Sequence, residues 1–194
     1  MSNPIILASS SPFRRELLNR LNLEFSCNSP DIDETARIKE TASDYVIRLA
    51  YEKALAVAKT AAPRSIIIGS DQCAVLDGNI LGKPGNHANA MSQLKSMQGR
   101  SIIFHTGVCV LQTDTRSYEC EEVLYEVKFR QLNDKQLDHY LRVEEPYQCA
   151  GSFKSEGYGI ALFDAMSGTD PTAIIGLPLI RLVSMLENAG VTVI

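Results

Sequence analysis

Three consecutive isoleucines between Ser65 and Gly69 constrain this chain more than any other feature. A strand with one face in water alternates apolar and polar residues. An unbroken run such as Ser65-Ile66-Ile67-Ile68-Gly69 is expected where both faces are covered, as in the sheets of α/β proteins. The segment before it has the helical period. Thr41 to Ala61 is opened by Thr41 or Ser43, ends before Pro63, and places Val46, Leu49, Ala50, Ala54, Val57 and Ala58 on one buried stripe. The isoleucine run leads directly into Ser70-Asp71-Gln72. Ligands of open α/β sheets bind near strand ends, and a rigid strand fixes a side chain for chemistry, so Asp71 is a candidate catalyst. A turn or helix-cap aspartate follows such a strand about as often.

A second candidate site opens the chain. The apolar run Ile5-Ile6-Leu7-Ala8 gives way to Ser9-Ser10-Ser11-Pro12, and the pattern after Pro12 is helical, with Leu17, Leu18 and Leu21 on one face. Hydroxyl residues precede a proline that suits a first helical turn, and first-turn amides lack internal partners. Arg14 and Arg15 add positive charge there, an arrangement that favours an anion such as phosphate. A capped helix with solvated arginines fits the same residues. Lys53 lies beside the buried stripe of its helix, so its stem can pack on the core while its ammonium reaches a cleft or water. Cys73 to Leu76 and Ile80-Leu81 flank Asp77-Gly78-Asn79, a hairpin signal, and the return arm delivers Lys83 between Gly82 and Pro84. A lysine pinned in this way, opposite Asp71, would make a phosphate contact. The acidic loop Pro30-Asp31-Ile32-Asp33-Glu34 would hold a hard divalent ion if phosphate oxygens completed its shell, and otherwise is a solvated turn.

The remaining pattern predicts strands over Glu24–Ser29, Ser101–Leu111 and Tyr118–Arg130, the last with Val123, Tyr125, Val127 and Phe129 alternating with charged residues. Helices are predicted over Asn89–Met97, from Asn133 or Asp134 to Val143, and over Pro178–Ala189 before Gly190, with a final strand Val191–Ile194. Cys149 to Gly159 is too rich in glycine to be regular throughout, and is read as close backbone approach to a ligand or as turns. Within it, Glu156 could accept paired hydrogen bonds from a purine edge.

At 194 residues the chain suits one domain. Its formal net charge of −4 argues against nucleic acid or an anionic membrane as partner, so any phosphate partner should be small. No apolar run has the length of a membrane span and the first residues lack a signal-peptide pattern, which makes a cytoplasmic location the expectation. Cys27, Cys73, Cys109, Cys120 and Cys149 have no metal-ligand spacing and are expected as free thiols, and His87, His105 and His139 form no ligand pattern.

Ser-Ser-Pro-Phe-Arg-Arg near the start, Glu-Lys-Ala at 52–54, Gly-Ser-Asp-Gln at 69–72, Gly-Lys-Pro at 82–84 and Gly-Ser-Phe-Lys-Ser-Glu-Gly at 151–157 occur in order over nearly the whole chain. Together they resemble the Maf-like nucleoside triphosphate pyrophosphatases. The resemblance implies an α/β fold like that of inosine triphosphate pyrophosphatase (Maf/Ham1-type), with a long curved mixed sheet flanked by helices and two lobes around a cleft. It is nearest to the branch that hydrolyses 7-methylguanosine triphosphate to the monophosphate and pyrophosphate, through Phe13, Gln72 and Glu156, where the thymidine and uridine triphosphate branch has arginine, threonine and glutamine. A methylated guanine is cationic, so the face of Phe13 and a carboxylate at Glu156 would both complement it. By the same resemblance Asp71 is the general base, and Ser11, Arg14, Lys53 and Lys83 contact phosphate. A divalent cation, magnesium or manganese, is implied at Glu34 with Asp71. The resemblance is also compatible with a homodimer. A pyrimidine nucleotide pyrophosphatase and a nucleotide-binding regulator of cell division are the competing readings.

Overall fold

The computed structural model describes residues 3–194. Its elements, in chain order, are β1 (Ile5–Leu7), α1 (Pro12–Asn19), β2 (Phe25–Cys27), α2 (Ala42–Ala58), β3 (Ile66–Leu76), β4 (Asn79–Leu81), α3 (His87–Met97), β5 (Ser101–Gln112), β6 (Tyr118–Phe129), α4 (Asp134–Glu144), β7 (Phe163–Gly168) and α5 (Leu179–Asn188). The strands form one seven-stranded mixed sheet in the order β2-β1-β3-β5-β6-β7, with β4 paired to β3. β1 runs parallel to β2 and β3, and every other pairing is antiparallel.

The isoleucine run is covered on both faces. Ile66 and Ile68 pack with Leu17 and Leu18 of α1 and Leu182, Met185 and Leu186 of α5, while Ile67 packs on the opposite face with Ala50, Ala54 and Val57 of α2. The central strands are long enough to reach a further core, where Ala74, Leu76, Ile102 and Phe104 meet α3 and α4 through Leu94, Met97, Leu137 and Leu141. Between these two cores, on the face that α5 covers, Ser70, Gln72 and Thr106 form a polar belt. The Ser70 hydroxyl lies 2.8 Å from both the Gly107 and the Gly176 carbonyl oxygens, and Gln72 Nε2 donates to Ala173 O at 2.7 Å and to Thr106 Oγ1 at 3.0 Å. Buried hydroxyl and amide groups need such partners, so the belt fixes the turn at 173–176 against the sheet.

α2 lies unusually close to the other face. A Cβ at Gly69 would sit 2.1 Å from the Ala50 carbonyl oxygen, and one at Gly107 would sit 2.2 Å from that of Val46. Only glycine permits this approach. The hairpin signal is also realised, with Asp77 at φ 52° and Gly78 at φ 76°.

Two expectations change, and one strand is found that no expectation covered. Asp71 is not at a strand terminus: β3 continues unbroken from Ile66 to Leu76, because its hairpin arm extends the same strand. Residues 191–194 form no strand. They pair with no strand among the described residues, and Val191 and Val193 instead pack against the α5 core as an irregular tail. Conversely, Phe163–Gly168 is an edge strand whose residues are all half-buried or exposed, which removes the hydrophobic signal that would have marked it.

Candidate active site

Along one edge of β3 the pairing is interrupted. β1 covers Ile66–Ile68 and β4 covers Ala74–Leu76, so Gly69 to Cys73 have no partner strand on that side. A cleft of about 800 Å³ lies beside this gap, lined by the Ser9–Arg14 loop and helix start, Glu34, Tyr45, Lys53, Asp71, Lys83 and the segment from Glu145 to Glu156. The gap is the topological reason for a ligand site here, as where strand order diverges in other α/β sheets.

Lys53 is buried, and its ammonium joins two carboxylates, Asp71 Oδ1 at 2.6 Å and Glu34 Oε1 at 2.7 Å. The close seating of α2 over Gly69 carries Lys53 to Asp71. Burial pushes the Glu34 carboxyl up, but the Lys53 hydrogen bond and charge, with Lys83 and Arg14, bring it below the ordinary carboxylate value. Asp71 Oδ2 meets no protein donor among the described residues, which leaves it for water.

Arg14 is half-buried, and Ser11 caps its helix by accepting from the Arg14 amide at 3.4 Å. Its Nε donates to the Gly176 carbonyl at 2.8 Å, and the guanidinium makes no ion pair among the described residues. Burial lowers its pKa, with the Asp71 and Glu34 charges opposing. A sheltered guanidinium oriented by a carbonyl and without a carboxylate is ready for an anion. Lys83 is exposed and lines the same cleft. The helix terminus itself offers less than the sequence implied: Pro12 has no N–H, and the Ser11 amide is taken by Ser9 Oγ at 3.1 Å. Arg15 is exposed and does not line the cleft.

Phe13 and Glu156 both line the cleft, Phe13 half-buried and Glu156 exposed. Gln72 also lines it, but its amide nitrogen is committed to the 173–174 carbonyls, so only its Oε1 can face a ligand. Sequence reasoning passed over Tyr45, Ser70, Cys73 and Gly176. Of these, Ser70 lies inside the Gly-Ser-Asp-Gln motif and Cys73 directly follows it, whereas the Gly176 contact to Arg14 spans 162 residues of sequence. The Cys73 thiol lines the cleft but is pushed up to about 12 by burial and the Asp71 and Glu122 charges, so it stays protonated and is not a nucleophile at neutral pH.

Among the described residues no group of three or more His, Cys, Asp and Glu is gathered for a metal. Glu34 and Asp71 each place one carboxylate oxygen on the Lys53 ammonium, which holds the point between them, and their second oxygens remain as hard donors. That set fits magnesium or manganese, which commonly take one or two carboxylates and complete the shell with phosphate and water.

Residues 4–189 match the sequence profile of the family described as Maf-like protein. The chain belongs to the Maf-like family. It is 56% identical over 191 residues to the 7-methyl-GTP pyrophosphatase of Methylobacillus flagellatus, covering 98% of this chain and 99% of that protein. It is 50% identical to the protein of the same name from Albidiferax ferrireducens, covering 100% and 99%. In structure it is similar to a HAM1 protein from Coxiella burnetii, with a TM-score of 0.56 at 16% identity, covering 96% of this Maf-like chain and 100% of the other. That likeness bears out the Maf/Ham1-type fold.

Proposed function

We propose that the protein is a nucleoside triphosphate pyrophosphatase that hydrolyses 7-methylguanosine triphosphate to the monophosphate and pyrophosphate. The observation that carries this reading is the union, in one cleft, of the Arg14 guanidinium, without an ion pair among the described residues, and the Lys53–Asp71–Glu34 cluster. The names of the relatives at 50% identity and above point to the same substrate.

Arg14, Lys53, Lys83 and the Ser11 hydroxyl bind the triphosphate and offset its charge, most of all the charge that develops on departing pyrophosphate. Asp71 holds a water through Oδ2 and takes its proton as the oxygen attacks the α-phosphorus, while Lys53 keeps the carboxylate from rotating. A divalent cation at Glu34 and Asp71 would supply Lewis-acid stabilisation of the phosphate oxygens. Phe13 lies against the cationic base, Gln72 Oε1 accepts from it, and Glu156 accepts its N1–H and amino group while opposing its positive charge. The acidic balance of the chain accords with a free nucleotide rather than nucleic acid, in the cytoplasm, and a homodimer is compatible with this reading. No helix among the described residues is long and apolar enough to cross a membrane.

Product analysis with 7-methylguanosine triphosphate and magnesium tests the reading. Monophosphate plus pyrophosphate is expected, and diphosphate plus phosphate overturns the assignment of the bond. Faster turnover of thymidine or uridine triphosphate overturns the assignment of the base, and no hydrolysis of any of them favours a binding protein.

A further inference from the structure

The acidic loop that carries Glu34 has no strand or helix to hold it. Residues 28–37 have no regular structure, and the Glu34 side chain is 49% exposed. Its contact with Lys53 alone would not hold it in place, because a half-exposed ion pair contributes little. The main fastening of the loop to α2 is instead Arg48, whose side chain is largely sheltered. Arg48 forks onto Glu40, Nε to Oε1 at 2.5 Å and Nη2 to Oε2 at 2.8 Å, and its Nη2 also reaches the Thr35 carbonyl at 3.3 Å. Its Nη1 donates to Glu52 Oε2 at 3.0 Å. Arg48 and Glu40 are only 12% and 6% exposed, unlike the outlying Arg37, which is 66% exposed where it meets Glu52.

Tyr45 completes the fastening by donating its hydroxyl to the Glu34 carbonyl at 3.0 Å. Tyr45, Arg48 and Glu52 are three and four residues apart and so share one face of the helix, and Lys53 follows directly. One stretch of α2 therefore sets both the ammonium and the loop that meets it.

We propose that Arg48, acting through Glu40, is a positioning residue that holds the Glu34 carboxylate against the Lys53–Asp71 pair. The inference rests on the catalytic reading of the cleft only for its effect on turnover. The guanidinium fork is essential to it, since a lysine has one point of charge and cannot hold Glu40, Glu52 and the Thr35 carbonyl together.

Hydrogen exchange and turnover of Arg48→Met, Arg48→Lys and Glu40→Gln test it. In all three variants, amides 33–40 should exchange about tenfold faster or more while those of β3 and β5 keep their protection. Glu34→Gln and Arg48→Met should each lower kcat/KM, and the double variant should be no worse than Glu34→Gln alone, because residues acting through one group are not additive. The half-saturating manganese concentration should rise in Arg48→Met with the nucleotide KM little changed. Unchanged exchange at 33–40, losses that multiply in the double variant, or full rescue by Arg48→Lys would each overturn the proposal. If the wild type hydrolyses no nucleoside triphosphate, the catalytic reading falls and the exchange comparison decides the positioning alone.

Discussion

Asp71 and Phe13 make separable demands on the cleft. Asp71→Asn keeps the shape of the side chain but cannot take a proton, so turnover should fall about 10²- to 10⁴-fold, the range of general-base removal. Nucleotide binding, measured by calorimetry, should persist. Phe13→Arg replaces an attractive face with a like charge. A cation–π contact is worth about 0.5–2 kcal/mol. The ratio of kcat/KM for 7-methylguanosine triphosphate over thymidine triphosphate should therefore drop by about tenfold or more, and parallel assays of the two nucleotides check it. Both positions were legible in the sequence because each stands inside a contiguous motif. Tyr45 and Gly176 were not, since nothing adjacent to them carries the chemistry that they support. Gln72 was legible as a residue but not in its orientation, which the 173–174 carbonyls decide.

At the scale of elements, the seating of α2 on the sheet and the fastening of the acidic loop to α2 govern the site. Gly107→Ala puts a methyl group into the Val46 carbonyl. Overpacking of this kind costs about 1–3 kcal/mol. Thermal melting should register it as a loss of several degrees, with kcat falling further as Lys53 shifts from Asp71. The clamp has its own acid limit. Hydrogen bonds from Arg48 bring the Glu40 carboxyl down to about 2, against the opposing effect of burial. An unfolded glutamate titrates near 4.3, so this stabilisation is complete above about that pH and is lost as the pH falls toward about 2. The stability advantage of wild type over Glu40→Gln, followed by melting temperature from about pH 6 downward, should be constant at first and then shrink below about pH 4. The helices and long strands were evident from periodicity. The edge strand β7 was not, because its residues are too exposed to show a buried face, and the tail at 191–194 was misread because an apolar alternation does not reveal whether a partner strand exists.

For the whole molecule, two cores flank a polar belt, and the cleft opens where the sheet leaves the edge of β3 unpaired. On the proposed reading, substrate and metal would meet the protein there. Removal of divalent ions with a chelator should abolish turnover, and magnesium or manganese should restore it, as a coupled assay for pyrophosphate would show. Activity that survives chelation would remove the metal from Glu34 and Asp71.

By itself the sequence determined the covered central strand, the amphipathic helix before it, the hairpin after it and the spaced motifs that mark a Maf-like chain. These are local patterns, and a few adjacent residues suffice to state them. Only the tertiary structure decided that Asp71 lies within a continuous strand, that the Gly176 carbonyl aims Arg14, and that Arg48 ties the Glu34 loop to the helix of Lys53. Each depends on contacts between segments distant in the chain, or on the absence of a partner strand, and no local periodicity encodes either.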